Sequence, residues 1–240
     1  MTQQKLPQNS STYDVMFSEG GHDDVFRLPY RHSCYYPMFR RVEHLLRRSG
    51  SRSVLEVGCG TGALAHLLLD TGRYSYKGFD FSIEAVKQAS ERTGRPDLFF
   101  ACDARSPDAY AMAFDYDTIV CTEVLEHVDQ DLDVIALWPA GRRMIATVPN
   151  FDSRYHVRFF RSPEEVAARY APALDIERIE TVKKPYSTNL SLRQRWREIR
   201  WARYKPKLLL KLLGFGRIDD VGCWFVVAGR TRNQGPKSVS

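Results

Sequence analysis

The sequence predicts an α/β fold: a doubly wound, mostly parallel, seven-stranded sheet with an N-terminal helical cap and a basic insertion before the last strand. Two observations predict it. Short apolar runs recur between helical patterns at a regular pitch from Ser53 to Val148. A glycine-rich turn, Gly58-Cys59-Gly60-Thr61-Gly62, joins the first of these runs to the helix that follows it. The 240 residues suffice for one well-buried domain of this kind and leave little for a second.

Residues 1–12 are polar and read as a disordered start, and 233–240 as a flexible tail. The single domain expected over 13–232 begins with a cap, 13–50, in which Phe39, Val42, Leu45 and Leu46 follow Tyr35-Tyr36-Pro37 at helical spacing. Ser53–Val57 reads as the first strand and Leu64–Asp70 as its helix. Tyr76–Phe81 is the second strand, and Ile83–Arg92 a helix capped by Ser82. Strands follow at Leu98–Cys102, Asp117–Thr122 and Arg143–Val148, with a helix starting near Glu123. Ser162-Pro163-Glu164-Glu165 has a cap, a proline at the first helical position and a glutamate at the third, so a helix starts there. Strands over Leu174–Val182 and Val221–Ala228 complete the sheet, and the long stretch between them, 183–220, is an insertion that a hairpin does not need.

Composition narrows the class. Cys34, Cys59, Cys102, Cys121 and Cys223 are odd in number and contain no C-x-x-C pair, which speaks against a disulfide framework or a structural zinc site. No apolar stretch approaches the roughly 18 residues that a membrane span needs, and no apolar signal core follows Met1. The expectation is a cytoplasmic protein. Nine Lys or Arg between Arg193 and Arg217 face one acid, Glu198, a local excess larger than the chain's net +6. The basicity is therefore local, and Leu192, Trp196 and the Lys207–Gly214 run read as a lid helix, an anionic-membrane contact or a phosphate-binding groove.

A strand, a glycine turn and a helix make a nucleotide-type cradle. Gly58-x-Gly60-x-x-Ala63 with Asp80 some 20 residues on formally fits a dinucleotide fingerprint. Three details favour a different ligand: Glu56 two residues before the first glycine, where a carboxylate could interact with a cationic amino-acid-like group, a third glycine at 62, and a further acid, Asp103, past the third strand. A pyrophosphate would be repelled by these carboxylates.

From Val54 to Pro149 these motifs, in order, resemble those of the class I S-adenosylmethionine-dependent methyltransferases, whose Rossmann-like fold the resemblance implies. It implies that Glu56, Gly58, Gly60 and Gly62 hold the methionine part and nearby ribose of S-adenosyl-L-methionine. Asp80 would take the ribose hydroxyls, Phe81 would pack on adenine, and Asp103 with the Ala104 backbone would read the adenine amino group.

Thr122-Glu123-Val124-Leu125-Glu126-His127 follows the fourth strand, at the carboxyl edge where open sheets place their chemistry. On a helix, Glu123, Glu126 and His127 share one face. Such a set is a divalent-ion site for Mg²⁺ or Mn²⁺, a metal-free base built on His127, or a packing pair. The E-x-x-E-H pattern resembles ubiquinone-biosynthesis O-methyltransferases and small-RNA 2′-O-methyltransferases, both of which imply a metal here. His156 and Asn150, past the fifth strand, are further catalytic and pocket-lining candidates, and Tyr30, His32, Tyr35 and Tyr36 are candidate cap residues over the cofactor. The reading is methylation of a hydroxyl on a small metabolite, sugar or lipid-linked intermediate, with substrate choice set by residues before 50 and within 183–220. The alternatives are an RNA 2′-O-methyltransferase and an inactive cofactor-binding partner.

Overall fold

The computed structural model describes residues 6–21, 25–112, 114–183 and 222–232. Along the chain, α1 (Ser10–Ser18) and α2 (Tyr36–Arg48) precede β1 (Ser53–Val57), α3 (Ala63–Asp70), β2 (Ser75–Asp80), α4 (Ile83–Thr93) and β3 (Phe99–Ala101). Then come α5 (Asp108–Ala111), β4 (Thr118–Thr122), α6 (Asp131–Ala136), β5 (Arg143–Pro149), α7 (Pro163–Tyr170), β6 (Leu174–Lys183) and β7 (Cys223–Thr231).

The strands lie in the order β3-β2-β1-β4-β5-β7-β6. The first five are parallel, while β7 runs antiparallel to both β5 and β6. Strand order reverses between β1 and β4, so the loops at their carboxyl ends part there and leave a crevice. Both faces of the sheet are covered, which is why its central strands are apolar almost throughout rather than alternating. Leu55, Val57, Ile119, Cys121 and Met144 pack on one side with Val134 of α6 and Val166 and Tyr170 of α7. Val54, Val120, Ile145 and Val226 pack on the other with Met38, Val42 and Leu46 of α2 and Leu64 and Leu68 of α3.

Local signals account for the helix starts. Ser82 Oγ accepts from Ala85 N (3.1 Å) and caps α4. At α7, Ser162 Oγ accepts from Glu165 N (3.4 Å) and Glu165 Oε2 accepts from Arg161 N (2.7 Å), a reciprocal cap ahead of Pro163.

Two expectations need correction. Residues 6–12, read as disordered, are placed: Leu6 N donates to Arg154 O (2.9 Å), and Asn9 Oδ1 caps α1 by accepting from Thr12 N (2.9 Å). No α-helix starts near Glu123. That residue has φ +57°, a left-handed backbone that breaks helical continuation, and only a 3₁₀ turn, Leu125–His127, follows before α6. The basic segment Arg193–Arg217, most of the 183–220 insertion and the 233–240 tail lie outside the described residues.

Candidate active site

The crevice between β1 and β4 opens into a cavity of about 710 Å³ lined by both loops, the end of β2, α1 and the segment after β5. Its floor is the glycine turn. Gly58 has φ +69°, and a Cβ there would lie 2.2 Å from Val124 Cγ2. Gly62 has φ +73° and sits at the start of α3, where a Cβ would lie 2.9 Å from Ala89 Cβ of α4. Only glycine supplies both that backbone and that clearance, so the pattern seen in the sequence is dictated by packing as much as by ligand approach.

Two carboxylates stand behind this turn. Asp80, 6% exposed, accepts from Gly60 N (2.9 Å) through Oδ2 and from Ser82 N (3.0 Å) through Oδ1, pinning the turn to the end of β2. Burial raises its pKa to about 6, against those two hydrogen bonds. Glu56, 1% exposed, accepts from Tyr76 Oη at 2.5 Å, and burial pushes its pKa up to about 8. Two buried acids, both with pKa values raised by desolvation, form a site that a cation would complete. Both line the cavity, so the residues present fit a sulfonium compound bearing an ammonium group.

Phe81 lines the same cavity, and its ring lies 5.0 Å from that of Tyr13. Asp103 and Ala104 line it too, but the Asp103 carboxylate is gripped by the Arg105 guanidinium (Nη2–Oδ2 2.6 Å) and accepts from Arg105 N (2.8 Å). Any adenine contact at Asp103 therefore uses the lone pairs that Arg105 leaves.

At the end of β4 the predicted trio rearranges. The left-handed Glu123 turns its carboxylate toward the sheet, where it accepts from Trp224 Nε1 (2.7 Å) and Thr147 Oγ1 (3.2 Å). Glu126, His127 and His156 instead come together, with one ligand-type atom from each lying within 4.8 Å of the others. Glu126 is fully buried; its oxygens meet no N–H donor, and the carboxyl faces that of Glu123, with which it forms a hydrogen bond once one of the pair is protonated. Burial and the neighbouring Glu123 carboxylate hold its pKa well above the usual carboxylate range. Such an acid binds a proton or a cation.

The histidines are oriented alike. His127 Nδ1 faces the Tyr155 carbonyl (2.7 Å), and His156 Nδ1 faces the Phe151 carbonyl (3.1 Å). A carbonyl only accepts, so each Nδ1 carries the hydrogen and each Nε2 is left with its lone pair. His127 Nε2 lies 3.8 Å from Glu126 Oε1, and the two rings are 4.9 Å apart. Burial, with His156 next to it, pushes the His127 pKa down to about 3, so its ring is neutral. A buried carboxylate beside two imidazoles is a one-oxygen, two-nitrogen donor set, which suits Mn²⁺ better than the oxygen-seeking Mg²⁺.

The cap is only partly the one expected. Tyr35 lines the cavity and packs on Trp224 (5.5 Å). Tyr30 is instead a packing residue over α3, donating to Asp70 Oδ2 (2.7 Å), with Tyr36 against it at 5.8 Å, and His32 is exposed. Asn150, expected to line the pocket, uses its amide oxygen to accept from Cys223 N (2.6 Å) at the start of β7. The roof is α1, most of which falls within the expected 13–50 cap, although the sequence reading places no helix there. Tyr13 Oη donates to Gln8 Oε1 (2.7 Å) and lies 2.8 Å from His127 Nδ1, sharing that N–H with Tyr155. Phe17 covers Gly60, and Asp14 Oδ1 accepts from Glu84 N (3.2 Å) at the head of α4. The i, i+4 pair Tyr13/Phe17 after an Asn9 cap was the available signal.

This sheet order, with a carboxylate-backed glycine turn at the switch point, defines a class I S-adenosylmethionine-dependent methyltransferase architecture. A profile of the "Methyltransferase domain" family matches residues 30–149, and the chain belongs to that family. Among curated relatives, a ubiquinone biosynthesis O-methyltransferase of Sodalis glossinidius is 30% identical over 100 residues, spanning 40% of this chain and 40% of that protein. The chain thus matches about two-fifths of that relative's length. Among solved structures, the N-methyltransferase NodS of Bradyrhizobium japonicum in complex with S-adenosyl-L-homocysteine superposes with TM-score 0.60 at 19% identity, over 92% of this chain and 99% of that one. The magnesium protoporphyrin IX methyltransferase of Synechocystis with bound S-adenosylmethionine gives TM-score 0.58 at 15% identity, over 97% and 100%. At such identities the likeness is one of fold. No helix among the described residues is long and apolar enough to cross a membrane.

Proposed function

We propose that the protein transfers the methyl group of S-adenosyl-L-methionine to a hydroxyl of a small metabolite, sugar or lipid-linked intermediate, assisted by a divalent ion. One observation carries this reading: His127 and His156 lie on the wall of the cavity that holds the glycine cradle, and the fully buried Glu126 converges with them from behind that wall. A neutral amine acceptor needs no such group, because its lone pair is already available. A hydroxyl must lose a proton, and a cluster of this kind serves that purpose. The ubiquinone-biosynthesis O-methyltransferase relatives share this preference for oxygen by name.

In this mechanism Glu56 faces the methyl donor's positive charge, Asp80 takes its ribose hydroxyls, and the glycine turn lets the donor lie against the protein backbone. The donor supplies an activated methyl group, and a Mg²⁺ or Mn²⁺ ion on Glu126, His127 and His156 would lower the pKa of the acceptor hydroxyl. Phe17 and Tyr13 of α1 keep water from the cradle, and Tyr35 and Phe151 present an apolar wall to the acceptor. The acceptor's proton passes to bulk solvent, since the Glu126, His127 and His156 lone pairs would hold the ion, as the oxygen–methyl bond forms and the methyl–sulfur bond breaks. Alignment supplies most of the rate, since the leaving group is already good.

A labelled-methyl screen against cell extract, split into small-molecule, lipid and RNA fractions, tests the proposal. Label in the small-molecule or lipid fraction that disappears with a chelator supports it. Label in RNA, weakening steeply with salt, would establish the RNA 2′-O-methyltransferase instead. Binding of S-adenosylmethionine with no label anywhere would mark an inactive partner. Peripheral contact with anionic membrane, through the basic segment 193–217, is read from lipid-fraction label that depends on intact vesicles.

A further inference from the structure

We infer that Arg158 is a positioning residue for the histidine pair, clamping the turn that carries Glu126 and His127 onto the loop that carries His156. The inference rests on the methyl-transfer reading only for its consequence in turnover; the geometry stands without it.

The turn from Val124 to Asp129 is short and irregular, and its outward carbonyls have few partners of their own. Four of them are held from one place. Arg158 Nη1 donates to Leu125 O (2.6 Å) and Val128 O (2.5 Å), and Nη2 donates to Asp129 O (2.8 Å). A fourth carbonyl, Glu126 O, accepts from Val157 N (2.8 Å) and Arg158 N (3.3 Å). Four carbonyls of the β4 turn are thus held by two consecutive residues of the β5 loop, immediately after His156.

The guanidinium is itself fixed. Its Nη1 lies 3.1 Å from Asp131 Oδ2, and Asp131 is fully buried. Asp131 also accepts from Arg169 Nη2 (2.5 Å) and Tyr170 Oη (3.0 Å) of α7. The clamp is therefore anchored to the domain core rather than to the turn it holds. Its planar fork reaches three carbonyls and a carboxylate at once, a pattern that a lysine ammonium on a flexible stem does not reproduce. Arg158 does not line the described cavity, so it acts through the turn and not on a bound molecule.

The test uses the full chain and the variants Arg158→Met, Arg158→Lys and Arg169→Met. Three readouts are taken: ¹⁵N ring signals of His127 and His156 at one fixed pH, calorimetric affinity for S-adenosylmethionine, and turnover. Arg158→Met and Arg158→Lys should convert the Nδ1–H ring signature of His127 to a tautomer mixture and lower kcat by about 10- to 100-fold. Affinity for S-adenosylmethionine should stay within about twofold, because the cradle is not touched. Arg169→Met removes a different partner of the same Asp131 and should lower the melting temperature without moving either ring signal. Should Arg158→Met fail to fold, Arg158→Lys, which retains the pairing with Asp131, carries the test. Wild-type ring signals in Arg158→Lys, or the same ring changes in Arg169→Met, would overturn the inference. If no acceptor is ever methylated, the ring signals still decide it.

Discussion

Replacing Glu56 with glutamine separates the fold's need from the ligand's. Glu56 is 1% exposed and its pKa stands at about 8 against an ordinary 4.5. An acid whose folded pKa is raised keeps a proton that the unfolded chain has released. Its contribution to stability is therefore complete below about pH 4.5 and is lost as pH rises to about 8. At 1.36 kcal/mol per unit, the loss reaches about 3 kcal/mol at pH 7 and about 5 kcal/mol above pH 8. In a chain of this size, 3 kcal/mol corresponds to a fall of about 10 °C in Tm. Glutamine keeps the acceptor for Tyr76 Oη and the side-chain shape but does not titrate. Scanning calorimetry of the ligand-free protein from pH 4 to 8.5 should show wild type losing stability relative to Glu56→Gln by about 3 kcal/mol between pH 4.5 and 7. The contributions of Asp80, Glu126 and His127 are common to both proteins and cancel in that difference. The same substitution should weaken S-adenosylmethionine binding at least about tenfold, since a neutral amide faces the ammonium. Parallel Tm–pH curves for the two proteins would refute the reasoning.

Three further outcomes are expected. Gly58→Ala places a methyl 2.2 Å from Val124 Cγ2 at φ +69°, and should cost about 2 kcal/mol and most of the S-adenosylmethionine affinity, both read by calorimetry; adding Val124→Ala should recover the steric part but not the backbone strain. Glu126→Gln should raise Tm in the absence of divalent ions by relieving a buried carboxyl that meets no N–H donor, while abolishing chelator-sensitive turnover and leaving S-adenosylmethionine affinity unchanged; unchanged turnover would remove the cluster from the mechanism. Ser162→Ala should lower Tm by about 2–4 °C through loss of the α7 cap, without affecting binding, as thermal melts will show.

The cradle was legible because its constraints are local. Gly58 and Gly62 are forced by φ and by contacts with Val124 and Ala89, and a spacing forced by backbone geometry survives in the sequence as a pattern. The central sheet was legible because strands covered on both faces are apolar runs, and the α7 cap because Ser162-Pro163-x-Glu165 lies within one turn. The catalytic turn was half legible. Residue identity pointed to Glu126 and His127, but i, i+3, i+4 spacing presumes an α-helix. A left-handed Glu123 and a 3₁₀ turn sent Glu123 to Trp224, from a strand 101 residues later in sequence. Contacts of that range leave no periodic trace. The same holds for Tyr13 meeting His127 and for Arg158 reaching back to Leu125, where only the fold brings the partners together.

The most direct test of the account is a calorimetric titration of the protein with S-adenosyl-L-methionine, repeated on Asp80→Ala and with a nicotinamide dinucleotide as ligand. The account predicts one equivalent of S-adenosylmethionine bound by wild type, loss of that binding in Asp80→Ala, and no heat with the dinucleotide. Absence of binding to wild type, or equal binding by the Asp80 variant, would contradict it.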